Sequence, residues 1–384
     1  MLKFFNSLLT FLKKEFVLTA AWILAIVSMF FVHPDKEYFS YIDWRSLGIL
    51  WSLMVIINVF ASMGIFNRIA ASILKTQKST FQLLSILTAL CFFLSMLITN
   101  DVSLITFVPF TILLLKQNPR LLIPAIVLET LAANLGSMLT PVGNPQNLYL
   151  FSFAAFSLKD FITLLLPYSL LSLALLFASI LIICSWNKKR HPESNLLSAQ
   201  ENSQDQENGN IFIPFVIIFA ALFIVTIAWV VFHVEGVWRI ALPILFLTLI
   251  INRKSLLKVD YSLLLTFIGF FIFTGNMQRV PAINSFLKNF VDGKELWCGI
   301  ISSQIISNVP ACLLLSKFSA DLKALTVGVN LGGLGTLIAS MASLISYKFY
   351  AKTEGSHPGK YLLFFTGANL IFLAALVLLS LFIS

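Results

Sequence analysis

The sequence predicts an all-α polytopic membrane protein that contains two inverted repeats. Hydrophobic residues make up 58% of the 384 residues and charged residues only 11%, whereas soluble proteins carry about 25% charged residues. Long apolar runs recur along the whole chain, and similar polar interruptions follow one another in the same order in both halves. Because so few charges cannot cover a soluble surface, these observations exclude a soluble globular fold.

Nine apolar runs are candidates for membrane crossings, since a spanning helix needs about 20 residues. They are 16–32, 46–66, 121–156, 163–185, 211–232, 238–252, 261–277, 324–346 and 361–383. Polar, proline or glycine residues interrupt 121–156 and 324–346, which predicts two broken helices. Polar motifs also split the stretches 80–115 and 296–318, and each stretch is interpreted as a re-entrant hairpin. The first arm of 80–115 is long enough to span, so a pair of crossings remains the alternative there.

The basic residues assign the two sides of the membrane. When the N-terminus is placed in the cytoplasm, 17 of the 26 Lys and Arg residues fall on cytoplasmic segments, as the positive-inside rule requires. The C-terminus then lies outside. The polar stretch 186–210 is predicted to be a cytoplasmic linker between an N-terminal half, 1–185, and a C-terminal half, 211–384. The net charge of +9 therefore reflects topology, and no nucleic-acid partner is expected.

Matching features in the two halves indicate an internal repeat. Asn-Leu-Gly begins at Asn134 in one broken helix and at Asn330 in the other. Asp43 and Asp260 open corresponding helices, but the predicted topology places them on opposite sides of the membrane. The halves are therefore predicted to be inverted copies, an architecture common among secondary transporters.

The interruptions predict a binding site for a small ion near the middle of the membrane. Helix N-termini at breaks attract anions, while carbonyl, amide and carboxylate oxygens suit Na⁺. Each hairpin tip is predicted to expose free N–H groups to an anion. The predicted substrate-binding residues are Thr99, Asn100, Asn144, Ser307, Asn308 and Thr336. The predicted cation-binding residues are Asp101, Asn134, Gly143, Asn330 and Gly332. Glu129 is a candidate for proton binding or coupling, because an acid within a membrane segment is costly unless it serves a function.

Motifs that would indicate an enzyme are absent from the sequence. It contains no GxxxxGK[ST], no HExxH and no GxSxG, which are signatures of nucleotide hydrolysis, zinc proteolysis and nucleophilic serine chemistry. The four cysteines form no CxxC pattern and predict neither a disulfide framework nor a metal site. We therefore expect a protein that is not an enzyme, with no cofactor and with Na⁺ or H⁺ as its coupling ion.

Four long motifs resemble the ion transporter superfamily, which includes divalent anion/sodium symporters, citrate transporters and arsenite efflux permeases. The motifs are TNDVSLITFVPF from Thr99, ANLGSMLTPVGNPQNLYLF from Ala133, SNVPACLLL from Ser307 and GVNLGGLGTLIASMASLISYKFY from Gly328. The resemblance covers nearly the whole chain and is closest to short bacterial anion permeases. It implies a scaffold domain and a transport domain that moves like an elevator, in a homodimer within the bacterial cytoplasmic membrane.

The resemblance also leaves two functions open. In the dicarboxylate branch each hairpin tip carries Ser-Asn-Thr, and this chain keeps the asparagines as Asn100 and Asn308. It places Asp101 and Val309 where that branch has threonine. An ionised Asp101 would repel a carboxylate unless Na⁺ or a proton neutralises it. The first hypothesis is a cation-coupled transporter of a small anion; the alternative is an arsenite or metalloid efflux permease or a Na⁺/H⁺ antiporter.

Overall fold

A computed structural model describes residues 15–74, 79–115, 118–190 and 213–383 of the chain. Helices account for its regular structure, and none of these described residues forms a strand. Most of the predicted linker 186–210 lies outside the described residues, while its first five residues continue the preceding helix, which ends at Arg190. The linker therefore stays a prediction.

The helices of the N-terminal half are numbered in chain order. They are α1 (Phe16–Ser28), α2 (Tyr38–Tyr41), α3 (Trp44–Ser62), α4 (Ile65–Leu74), α5 (Thr80–Ile98), α6 (Asn100–Leu114), α7 (Pro119–Ser137), α8 (Pro145–Phe153) and α9 (Leu158–Arg190). The predicted crossing 16–32 is thus shorter than expected, because helix α1 ends in a turn after Ser28. Helices α5 and α6 are the two arms of the first predicted hairpin.

The C-terminal half continues the numbering. Its helices are α10 (Ile213–Val231), α11 (Trp238–Asn252), α12 (Tyr261–Arg279), α13 (Pro281–Val291), α14 (Glu295–Ile306), α15 (Asn308–Ser316), α16 (Leu322–Leu331), α17 (Met341–Ala351) and α18 (Pro358–Ile383), with a 3₁₀ turn at Arg253–Lys258. Helices α14 and α15 are the arms of the second predicted hairpin. Eight helices among the described residues are long and apolar enough to cross a membrane. The chain is therefore a polytopic helical membrane protein, as predicted.

Both predicted broken helices are interrupted where the sequence places proline or glycine. Helix α7 ends at Ser137, and helix α8 starts at Pro145 in the first position of the new segment, where proline is tolerated because no N–H is needed. Helix α16 ends at Leu331, and helix α17 starts only at Met341. Gly335 lies between them with φ +110°, a conformation that favours glycine.

The helices pack in two groups. The hairpin group contains the arms of both hairpins, both broken helices, α9 and α18, while the flanking group contains α1 to α4 and α10 to α12. The hairpin group meets the flanking group where α15 contacts α12, where α8 contacts α3 and where α4 contacts both arms of the first hairpin. At equivalent places in the flanking group, Asp43 and Asp260 each cap a long helix by accepting the N–H of Ser46 or Leu263. This likeness supports the predicted repeat.

The first hairpin ends well inside the molecule. The backbone N–H of Asn100 at its tip donates to the carbonyl oxygen of Gly143, 3.1 Å away, at the break that precedes α8. Helix α8 then continues for nine residues, about 13 Å, until Ser152 accepts a 2.6 Å hydrogen bond from Arg45 at the start of α3. Helix α5 is itself long and apolar enough to cross a membrane, so the re-entrant arrangement stays a prediction.

Candidate binding site between the hairpin tips

The two hairpin tips have the same backbone geometry. Thr99 has φ 72° and ψ 153°, and Ser307 has φ 74° and ψ 153°, a region that residues other than glycine rarely adopt. The N–H of Asn100 donates to Gly143, and the N–H of Asn308 donates to the carbonyl oxygen of Ala339 at 3.0 Å. Each strained tip is therefore held against the break of the broken helix in its own half.

The expectation that the tips expose free N–H groups is wrong for the first two residues of each second arm. The N–H groups of Asn100 and Asn308 are used at the breaks. The next N–H, of Asp101 or Val309, donates to the side-chain oxygen of the preceding asparagine at 3.0 Å. Satisfying these donors within the protein stabilises the strained tips.

A cleft that is partly open to solvent lies between the tips and the flanking group. The tips contribute Asn100 and Asp101 on one side and Ser307 and Asn308 on the other. The starts of the segments that follow the two breaks contribute Pro145, Gln146, Ser340 and Met341. The facing wall contains Glu15, Leu18, Asp260, Ser262, Leu263 and Thr266.

The charge of the cleft is negative. Glu15, Asp101 and Asp260 line it, and no Lys, Arg or His is among the described residues that do so. One carboxylate oxygen of Asp101 is buried, and no described residue donates a hydrogen bond to it. A buried carboxylate without a partner is costly, so this arrangement requires a cation or a proton.

Asn134 and Asn330 join the two halves of the chain. The Asn134 side-chain oxygen accepts hydrogen bonds from Asn100 Nδ2 at 3.1 Å and from Ser340 Oγ at 3.0 Å. The Asn330 amide donates to Asn147 Oδ1 at 2.7 Å, while its oxygen accepts from Asn144 Nδ2 at 3.3 Å. Each asparagine thus binds the segment after the break in the other half. Their predicted role in cation binding stays a prediction, since their oxygens here accept hydrogen bonds from the protein.

Several predicted site residues surround the cleft without lining it. Asn144 caps α8 by accepting the N–H of Asn147, and Gly143 accepts from the first tip. Gly332 packs against Ser303, because a Cβ added to it would lie 2.6 Å from the Ser303 hydroxyl oxygen. Thr336 differs most from its predicted role. It is exposed, and it forms hydrogen bonds with Gln304 of α14. Of the predicted residues, the structure brings Asn100, Asp101, Ser307 and Asn308 together on the cleft.

Glu129 lies outside the cleft, in the interior of the hairpin group. It is fully buried; Oε1 accepts a hydrogen bond from Thr111 on α6, and Oε2 has no partner among the described residues. The adjacent Thr130 bonds Ser346 at 2.8 Å, so α7 and α17 also share polar contacts here. Its role in proton binding stays a prediction.

The sequence model of the citrate transporter family matches residues 8–328, which is most of the chain. The chain belongs to the citrate transporter family. It is a membrane transporter.

Three relatives of this family member cover most of its length. An uncharacterized transporter of Methanocaldococcus jannaschii is 34% identical over 81% of this chain and 82% of its own. The inner membrane protein YbiR of Escherichia coli is 29% identical over 84% of each chain. A 46 kDa membrane protein of Mycobacterium leprae is 24% identical over 90% of this chain and 87% of its own.

Sequence reasoning missed five polar contributors to the cleft of this transporter. Gln146 follows the first break, and Glu15, Asp260, Ser262 and Thr266 belong to the flanking group. Gln146 was identifiable as a polar residue just after Pro145 at the predicted break. The other four lie on the cleft through tertiary packing, and no local pattern indicates this.

Replacing Asn134 with alanine should lower the free energy of unfolding of this transporter by about 2 kcal/mol, because Asn100 Nδ2 and Ser340 Oγ would both lose an acceptor in the interior. Thermal unfolding in detergent would measure the loss. The matched control is Asn252→Ala, which removes a single hydrogen bond to Ser62 near the surface. Equal melting temperatures for the two variants would contradict the joining role of Asn134.

Proposed function

We propose that this protein is a secondary active transporter that moves a small anion across the cytoplasmic membrane of a bacterium, coupled to Na⁺ or H⁺. The observation that carries the proposal is the cleft, where both hairpin tips and both breaks converge. Asn308 presents an amide nitrogen to which no described residue supplies an acceptor. Such a donor suits a carboxylate or another oxyanion.

The coupling ion supplies a positive charge that none of the described residues lining the cleft provides. The three acids Glu15, Asp101 and Asp260 would repel an anion that entered alone, and like charges brought together cost several kcal/mol. Na⁺ or a proton bound in the cleft neutralises part of this charge. Anion binding therefore depends on the cation, and this dependence is the physical basis of symport.

The position of the cleft supports an elevator mechanism. One wall belongs to the hairpin group and the other to the flanking group, so sliding of the first group past the second would carry the bound ions across. In the predicted topology, Glu15 and Asp260 lie at the cytoplasmic ends of their helices, which predicts that the bound ions reach the cleft from that side. The family resemblance adds that two copies assemble as a homodimer, each with its own cleft.

Uptake into proteoliposomes tests this function directly. Citrate is the first anion to try, because the family is named for it, followed by smaller di- and monocarboxylates. We expect accumulation when an inward Na⁺ or H⁺ gradient is imposed and no accumulation when that gradient is collapsed with an ionophore. Equilibration without accumulation would indicate a channel and would overturn the proposal.

The acidic lining also favours a second candidate, a Na⁺/H⁺ antiporter or a metalloid efflux permease. Among the described residues, the lining of the cleft carries three carboxylates and no basic side chain, which suits a site that alternates between a cation and protons. A host that lacks its own exporters would separate the two functions. Growth rescue under Na⁺, Li⁺ or arsenite stress, together with failure of anion uptake in proteoliposomes, would favour this candidate over the first.

A further inference from the structure

Two corresponding corners of the flanking group carry different charges. Asp43 and Asp260 each cap a long helix, and a short helical turn precedes each of them. We call residues 35–41, which include α2, the first corner, and residues 253–258, the 3₁₀ turn, the second corner. The predicted topology places the two corners on opposite sides of the membrane, so their comparison indicates what each one meets there.

The charges of the first corner are balanced within the protein. Arg279 at the end of α12 places Nη1 2.6 Å from Asp35 Oδ2 and 3.4 Å from Glu37 Oε2. The same nitrogen donates to the Tyr41 hydroxyl at 2.9 Å. Together with Lys36, two bases meet two acids here. The first corner therefore needs no external ion to balance its charge.

The second corner carries three cations that the protein does not neutralise. Arg253, Lys254 and Lys258 are all exposed, and their side chains form no ion pair or hydrogen bond with any of the described residues. The acid that follows them, Asp260, accepts the N–H of Leu263 through Oδ1. Three like charges on one turn create a positive potential that attracts anions.

The backbone of the second corner is fixed, and it presents an apolar side chain among the cations. Ser255 is buried and donates to the carbonyl oxygen of Asn58 at 3.4 Å, while the Tyr261 hydroxyl donates to the carbonyl oxygen of Leu256 at 3.0 Å. Leu257, next in the chain, is 83% exposed. Apolar side chains interleaved with Lys and Arg are typical of segments at a membrane surface.

The spanning segment that ends in the second corner places it at the level of the lipid headgroups. Helix α11 and the 3₁₀ turn together form a run of 21 residues, Trp238–Lys258, that is long and apolar enough to cross a membrane. Trp238 at its start is 59% exposed, and the three cations lie at its other end. Tryptophan and basic residues mark the two surfaces of a bilayer.

We propose that the second corner binds the headgroup of an anionic phospholipid such as phosphatidylglycerol. The lipid phosphate accepts hydrogen bonds from Arg253, Lys254 and Lys258, and Leu257 enters the acyl-chain region beside them. The three cations favour an anionic headgroup over a zwitterionic one, and the exposed leucine favours a lipid over free phosphate. The inference does not depend on the transported ion, so it can fail or hold independently of the proposed function.

The test is the stabilisation of the purified full-length protein by added lipid in detergent micelles, without any transported anion. A lipid that binds the folded state raises its melting temperature. We expect dioleoylphosphatidylglycerol to stabilise wild type at lower concentration than dioleoylphosphatidylcholine does. The triple variant Arg253→Gln, Lys254→Gln, Lys258→Gln should raise the phosphatidylglycerol concentration for half-maximal stabilisation about 100-fold, because each basic residue near an anionic lipid surface contributes about fivefold.

The matched control is the triple variant Lys348→Gln, Lys352→Gln, Lys360→Gln. These lysines are also exposed and lie on the same predicted side of the membrane, but they belong to the hairpin group, so both variants lose the same charge. The control should respond to phosphatidylglycerol as wild type does. Equal losses in the two variants, or equal stabilisation of wild type by both lipids, would overturn the headgroup site. Stabilisation by glycerol phosphate at the same concentrations would also overturn it, because the ligand would then be a free phosphate.

Discussion

Replacing Gly136 with alanine should destabilise the protein by about 3 kcal/mol, the upper part of the usual range for overpacking a buried site. Gly136 lies in α7 against the first arm of the first hairpin. A Cβ built on it would lie 2.0 Å from the carbonyl oxygen of Phe92 and 2.7 Å from its carbonyl carbon. Both atoms belong to the backbone of α5, so the clash cannot be relieved by rotating a side chain. The two helices would have to separate, and small residues at such contacts are what permit close packing in membranes.

Two further glycines allow the predicted loss of stability at Gly136 to be compared with sites that have more space. At Gly332, the corresponding position of the second half, an added Cβ would lie 2.6 Å from the Ser303 hydroxyl oxygen and 2.9 Å from the carbonyl oxygen of Gly299. These overlaps are smaller than the 2.0 Å approach at Gly136, so Gly332→Ala should cost less. At Gly367 in α18, no atom lies within 4 Å, and Gly367→Ala should be neutral or slightly stabilising. Melting temperatures in detergent should therefore fall in the order Gly367→Ala, Gly332→Ala, Gly136→Ala. A Gly136→Ala variant as stable as wild type would contradict the packing of α5 on α7.

The sequence predicted the membrane class and the places where the helices break. Pro145 cannot continue a hydrogen-bonded helix, and Gly335 occupies a conformation that suits glycine, so these breaks have local causes that composition reveals. The tips at Asn100 and Asn308 were predictable for a similar reason, because a polar pair within an apolar run marks a turn. The end of the first crossing was less predictable: apolar residues continue past Ser28, and hydropathy does not distinguish a helix from an apolar turn.

The partners of the site residues could not be predicted from the sequence. Thr336 matches Thr140 in the repeat, yet the structure places it against Gln304 on the second hairpin and away from the cleft. The tip N–H groups looked free because a helix start leaves donors unpaired. In the structure, the carbonyl oxygens of Gly143 and Ala339, which lie in the breaks of the two broken helices, accept the N–H groups of Asn100 and Asn308. Such pairings depend on how distant segments pack, and only the three-dimensional arrangement specifies them.

Asn308 is the residue for which the anion hypothesis predicts the clearest loss of transport. Its side-chain oxygen accepts the N–H of Val309 and so stabilises the start of α15. Its nitrogen, Nδ2, donates to no described residue, and the side chain lines the cleft. The two ends of one amide therefore have separate tasks: Oδ1 supports the fold, and Nδ2 is the donor that we assign to the anion. A substitution that keeps the first and removes the second isolates the binding function.

Asn308→Asp is that substitution, and it should lower kcat/KM for anion uptake about 100-fold or more, since a site built around one donor discriminates strongly when that donor is lost. The aspartate keeps an oxygen for the Val309 N–H, so the melting temperature should stay close to wild type. It also adds a fourth acid to a cleft that already holds three, so the anion meets repulsion where it met a donor. Asn308→Ala should lose less uptake but more stability, because the support for α15 is removed.

Asn284→Ala on α13, outside the cleft, is the matched control and should transport normally. A folded Asn308→Asp protein that takes up the anion at the wild-type rate would exclude this donor from the site. A Na⁺/H⁺ antiporter would instead retain exchange with aspartate at this position, so one variant measured in both assays separates the two functions.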